Sequence, residues 1–138
     1  MGSDRGASDA ERLVAAARVA REGALAPYSG FKVGAALLSR SGAVVTGCNV
    51  ESASYGVTVC AERVALLKAL SEGEREFTMM ALVADTASPT PPCGACRQLL
   101  WEYCGDLTVV LANLTSVIGQ HQMKDLFPVP FEGSLWKP

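Results

Sequence analysis

The chain has 138 residues, 49% of them hydrophobic and 19% charged, with a formal net charge of −2 and a mean hydropathy of +0.22. That length supports one domain rather than two, and the composition is too apolar for disorder while containing no run of the ~18 apolar residues a membrane span needs. A pI near 5.4 without any lysine or arginine cluster excludes the electrostatic footprint of a protein that tracks a phosphate backbone; a small-molecule partner is expected, with neither nucleic acid nor membrane.

Residues 1–7 are small and polar and read as a disordered tail, leaving 8–138 as a single domain. Ser8 and Glu11 match a capping box ahead of Ala10, Leu13, Val14, Ala17 and Ala20, which predicts an amphipathic helix to about Leu25. Pro27-Tyr28-Ser29-Gly30 ends it, and the β-rich runs 31–38 and 43–50 predict a hairpin through the turn residues 39–42. Thr58 as N-cap and Gly73 just past the end bracket a helix over 58–70. A buried strand over 77–84 follows, then a Thr, Ser and Pro-rich loop over 85–92 and a helix over 94–103 stopped at Gly105. Residues 107–112 predict another buried strand, and 123–127 a short helix before Pro128 and Pro130. A hairpin followed by alternating helix and strand makes an α/β fold with a mixed sheet covered on both faces.

The chemistry is concentrated in Cys60-Ala61-Glu62 and Pro92-Cys93-Gly94-Ala95-Cys96. Two thiolates three residues apart can share one face of a helical turn, and a third from another segment leaves the fourth tetrahedral position of Zn²⁺ open for water. Both segments fall at expected helix N-termini, where the dipole lowers a thiol's pKa. Three thiolates weaken the ion as a Lewis acid, and Arg63 is placed to hydrogen-bond the ligand sulfurs and withdraw charge. Glu62, two residues beyond Cys60, suits the role of general base better than that of ligand. The other candidates for a fourth ligand, Cys48, Cys104 and His121, have no convincing spacing; the two cysteines read as small buried hydrophobes and the histidine as a surface residue.

These motifs resemble those of the small homotetrameric zinc-dependent cytidine deaminases. The likeness extends through Pro27-Tyr28-Ser29-Gly30-Phe31, Gly47-Cys48-Asn49-Val50-Glu51, Ala53-Ser54-Tyr55-Gly56 and Cys96-Arg97-Gln98, and covers about 10–131. The resemblance implies a three-layer α/β/α sandwich with a mixed five-stranded sheet, one Zn²⁺ per subunit on Cys60, Cys93 and Cys96, and Glu62 as the catalytic residue. It implies that Asn49 and Glu51 hydrogen-bond the ribose 3′-hydroxyl, that Phe31 lies beside the pyrimidine, and that Ala61 reads the base edge with Glu62. Phe131 resembles a C-terminal aromatic lent to a neighbouring subunit, giving a homotetramer with shared active sites. Ser52 departs from the family's usual Asn and is read as tuning the loop that supports Glu51.

The expected reaction is hydrolytic deamination of cytidine and 2′-deoxycytidine in pyrimidine salvage. The alternatives are a deaminase of a related nucleoside or nucleoside antibiotic, and a non-catalytic zinc or redox C-x-x-C module, in which Glu62 would have no use. The N-terminus lacks the regions of a signal peptide and the five cysteines are an odd number, so a cytoplasmic location with unpaired thiols is expected.

Overall fold

The computed structural model describes residues 5–133. Helix α1 (Arg5–Arg21) is followed by β1 (Val33–Ser39), β2 (Val44–Cys48), a short 3-10 turn (Tyr55–Val57), α2 (Ala61–Ser71), β3 (Phe77–Ala84), α3 (Gly94–Cys104), β4 (Thr108–Ala112), β5 (Val117–Gln122) and α4 (Met123–Leu126). The five strands form one sheet in the order β2-β1-β3-β4-β5. Neighbours are antiparallel except β3 and β4, the pair whose parallel course requires a crossover, which α3 supplies.

Strands β1, β3 and β4 read as nearly continuous apolar runs because both faces of the sheet are covered. Ala35, Leu37, Met80, Leu82, Val109 and Leu111 pack in one core with residues of α2, α3 and α4. Their neighbours Ala36, Leu38, Ala81, Val83 and Val110 pack in a second core against Leu13, Val14 and Ala17 of α1. The result is the expected three-layer α/β/α sandwich with a mixed five-stranded sheet.

Two glycines set the spacing of these layers. A Cβ on Gly34 would lie 2.0 Å from Ala17 O, and one on Gly47 would lie 2.6 Å from Ala65 N and 2.7 Å from Ala61 O. Hydrogen at these positions lets α1 and α2 settle backbone-to-backbone onto the hairpin, one on each face.

Three boundaries differ from the sequence reading by more than two residues. Helix α1 begins at Arg5, so Ser8 lies within it and not at its cap; of the expected tail, 1–4 fall outside the described residues. At its other end the helix passes into i−3 hydrogen bonds at Glu22, Gly23 and Ala24, and Leu25 instead pairs with Val50. Thr58 does not cap α2. It closes the 3-10 turn by donating its N–H to Tyr55 O, and Cys60 is the N-cap of α2. Among the described residues no helix is long and apolar enough to cross a membrane.

Candidate active site

The N-termini of α2 and α3 lie on the same side of the sheet and bring the two cysteine segments together. Cys60 and Cys93 are the N-caps of their helices in extended backbone conformation, and neither thiol makes a side-chain capping hydrogen bond. Their carbonyls instead accept the first helical bonds, from Arg63 and Val64 and from Arg97, so both sulfurs are free to face the cleft. Cys96, buried in the first turn of α3, supplies the third.

One ligand atom from each of Cys60, Glu62, Cys93 and Cys96 lies within 4.8 Å of all the others. The Cys60 and Cys93 sulfurs are 3.6 Å apart, close to the ~3.8 Å that two thiolates span across a tetrahedral zinc with bonds of about 2.3 Å. The donor set fits zinc: three soft sulfurs, a carboxylate beside them, and all five cysteines free. His121 is exposed on β5, and Cys48 and Cys104 are half-buried; none of the three joins the cluster.

Electrostatics in the cluster favour metal capture. A hydrogen bond from the Cys96 thiol, helped by Cys93 and the Arg63 charge, outweighs burial and brings the Cys60 thiol down to about 6. Cys96 is pushed up by that same bond, by burial and by the Glu62 charge, so it keeps its proton until a cation displaces it. Burial opposes charge on Arg63, but the Cys96, Cys60 and Cys93 sulfurs together outweigh it and hold the guanidinium protonated. Its buried Nε has no hydrogen-bond partner among the described residues, an unspent donor beside the sulfur cluster.

Glu62 is 5% exposed. Burial pushes its carboxyl above the usual carboxylate range, with the Cys60 charge adding to the effect. The Cys93 N–H donates to its Oε2 at 3.3 Å, tying the carboxyl to the start of α3.

A cavity of about 190 Å³ opens beside the cluster, lined by Phe31, Asn49, Cys60, Ala61, Glu62 and Cys93 among others. Asn49 is anchored by two bonds to the 31–33 backbone: its Oδ1 accepts Val33 N–H at 2.8 Å and its Nδ2 donates to Phe31 O at 2.7 Å. Glu51 stands in a second cavity of about 320 Å³ with Tyr28, Ser29, Tyr55 and Thr58. Its Oε1 accepts the N–H groups of Tyr28 and Ser29, each at 3.0 Å, and its Oε2 accepts the Ser29 hydroxyl. These bonds hold its carboxyl below the usual range, the Ser29 hydroxyl first. Ser52 stays within its loop, its N–H donating to Thr58 Oγ1 and its Oγ accepting Ser54 N–H. Phe131 does not line either cavity; its backbone N–H and C=O bond the side chain of Gln98 on α3.

Sequence reasoning left several participants without a role. Arg97 donates from Nε to Pro92 O at 2.8 Å and from Nη1 to Leu126 O at 2.7 Å, fixing the peptide that precedes Cys93 to the end of α4. Thr90 and Pro91 line the smaller cavity; their position just before Pro92-Cys93 was the available signal. Gly47 seats α2 through an approach that no residue type or spacing announces.

Comparison with known proteins agrees with this geometry. The family model of the cytidine and deoxycytidylate deaminase zinc-binding region matches residues 7–112. A cytidine deaminase of Halalkalibacterium halodurans is 52% identical over 124 residues, 89% of this chain and 94% of the relative. Among solved structures, the cytidine deaminase from Burkholderia pseudomallei has a TM-score of 0.84 at 49% identity, covering 88% of this chain and 98% of that one. The cytidine deaminase from Mycobacterium tuberculosis has a TM-score of 0.78 at 40% identity, covering 88% and 96%. With the metal-ligand cluster, the sandwich and the matched region all in agreement, the chain belongs to the zinc-dependent cytidine and deoxycytidylate deaminase family.

Proposed function

We propose that this protein hydrolytically deaminates cytidine and 2′-deoxycytidine to uridine and 2′-deoxyuridine, releasing ammonia, as a step of pyrimidine salvage. The observation that carries this reading is the buried Glu62 carboxyl standing within 4.8 Å of three cysteine sulfurs in the wall of a cavity. A metal site that only braces a fold has no use for a buried titratable group beside open space.

When bound, one zinc ion per subunit supplies a Lewis acid that makes water nucleophilic near neutral pH. Glu62 does the proton work. It takes a proton from the attacking water, passes it to N3 of the cytosine ring, and carries the second water proton to the exocyclic amine, which leaves as ammonia. Burial, by raising its carboxyl, lets it hold each proton between transfers. Arg63 withdraws charge from the sulfurs it faces.

Phe31 stacks beside the pyrimidine and the Ala61 backbone reads its edge, both from the wall they share with Glu62. Asn49 and Glu51 bind the sugar 3′-hydroxyl. An amide has two donor hydrogens and two lone pairs, so Asn49 keeps one of each after its bonds to the 31–33 backbone, and Glu51 retains acceptor capacity beyond the three bonds it accepts.

The working unit is a homotetramer with shared active sites, located in the cytoplasm. Exposed apolar side chains near the site, among them Leu25, Tyr28, Val50, Tyr55 and Val57, support subunit burial there, and the five free cysteines suit a reducing compartment. Phe131, half exposed and bonded through its backbone to Gln98 of α3, is the aromatic lent to a neighbour.

Ammonia release measured against cytidine, 2′-deoxycytidine and a cytosine-bearing nucleoside antibiotic tests the reading. Turnover of the first two is expected; turnover of the antibiotic alone would reassign the substrate.

A further inference from the structure

The turn over 26–31 contains a serine that none of these roles employs. Gly30 adopts a φ of +72° with open space where a Cβ would stand, so backbone conformation is what requires glycine there. Its N–H donates to Ala26 O at 2.9 Å, closing the turn and directing the next residue, Phe31, toward the metal-site cavity. Within the turn, Ser29 makes three hydrogen bonds to two functional residues. Its N–H donates to Glu51 Oε1 at 3.0 Å, its hydroxyl donates to Glu51 Oε2, and the same oxygen accepts the Phe31 N–H at 2.9 Å. A hydroxyl has one hydrogen and two lone pairs, so this single oxygen joins the Glu51 carboxylate to the backbone of the aromatic. Ser29 lines the cavity of Glu51 and not that of Glu62.

The geometry points to Ser29 as a positioning residue that couples Glu51 to Phe31, so that sugar contact and base stacking act as one unit. This rests on the roles given above to Glu51 and Phe31. The carboxylate that binds the sugar also fixes, through the serine hydroxyl, the start of the segment that presents the ring. Asn49 completes the arrangement from the other side by bonding Phe31 O and Val33 N. A nucleoside that engages Glu51 therefore meets a ring already in place.

Two readouts on zinc-loaded, full-length protein test this. Ser29→Ala is expected to speed exchange of the Phe31 amide hydrogen at least tenfold, and to raise KM for cytidine roughly tenfold, as expected for losing a hydrogen bond to a charged group, with kcat within about twofold. Glu51→Gln is expected to speed exchange at Phe31 as well, and Ser29→Thr, which keeps the hydroxyl, to restore both readouts. The combined Ser29→Ala and Glu51→Gln variant should cost less in KM than the product of the two single effects. A merely structural serine would lower thermal stability and leave the exchange coupling and the KM split unmoved. Unchanged exchange at Phe31 in either single variant overturns the proposal, as do multiplicative KM effects. Absence of cytidine turnover in wild type would sink the assignment of the reaction, and the exchange measurement would still decide the coupling.

Discussion

Substituting alanine for Gly47 tests how the sheet seats the helix that carries Cys60 and Glu62. The added Cβ would lie 2.6 Å from Ala65 N, 2.7 Å from Ala61 O and 3.0 Å from Val64 Cβ, against the 3.4 Å at which ordinary contact begins. The obstacles are helix backbone, which cannot swing aside as a flexible side chain can, so α2 has to lift by on the order of 1 Å at its first turns. Overpacking of this kind costs about 1–3 kcal/mol, or roughly 3–12 °C of melting temperature in a domain of this size. The same displacement carries Glu62 away from the cavity wall, and a misplacement near 1 Å costs on the order of 10²-fold in rate. The assay is kcat for cytidine at saturating zinc, alongside thermal unfolding, with Gly34→Ala as control. Gly34 is tighter still, 2.0 Å from Ala17 O, but the helix it meets, α1, carries none of the site residues. Gly34→Ala is therefore expected to lose stability while its folded fraction turns over within a few-fold of wild type. A Gly47→Ala protein with wild-type kcat, or a control that loses kcat equally, would refute the reasoning.

Other consequences follow from the electrostatics and the assembly. In zinc-free protein, iodoacetamide should modify Cys60, whose thiol ionises at about 6, well before Cys104, which burial pushes up to about 12; equal rates by mass spectrometry would contradict this, and zinc should protect Cys60 while leaving Cys104 as it was. Lowering of the Cys60 value means that its thiolate stabilises the zinc-free fold at high pH, a contribution lost as pH falls through about 6. Glu62 acts in the opposite sense. Its raised value makes its neutral form favour folding at low pH, a contribution lost as pH rises through that value. Glu62→Gln should therefore stabilise the zinc-free protein more at about pH 8 than at about pH 4, read as urea midpoints; a gap that narrows with rising pH would count against the burial argument. Arg63→Ala should weaken zinc binding about 10–100-fold in a chelator competition, and unchanged affinity would remove its role. Phe131→Ala should reduce kcat/KM with zinc content intact, whereas sedimentation showing a fully active wild-type monomer would rule out shared sites.

The parts of this molecule that were legible before its structure share a local signal. Strand β3 and helix α3 are bounded by turn residues and filled by apolar runs, and the ligand cysteines sit at helix starts where sequence spacing fixes geometry. Strand β5 escaped the residue pattern because Val117–Gln122 is a polar, half-exposed edge strand, paired to β4 across a register irregularity at Leu111 and Ala112; the fifth strand followed from family likeness alone. The N-cap of α2 was misplaced because Thr58 satisfies the propensity, while the 3-10 turn before it spends that residue on closing the loop. Asn49 and Glu51 were named through family likeness alone. Their bonds to the 27–33 segment were not legible, since nothing local joins residues some twenty positions apart. The role of Arg97 was hidden for the same reason: its partners, Pro92 O and Leu126 O, meet only when α4 docks beside α3.

The central claim is that a buried carboxyl beside three zinc-binding cysteines performs deamination. Its most direct test follows the ultraviolet absorbance of cytidine mixed with zinc-loaded wild type and, in parallel, with zinc-loaded Glu62→Gln. Conversion to uridine by the wild type is expected, with the variant binding zinc fully but slower by about 10²- to 10⁴-fold. Near-wild-type turnover by the variant, or no conversion by a folded and zinc-loaded wild type, would contradict the account.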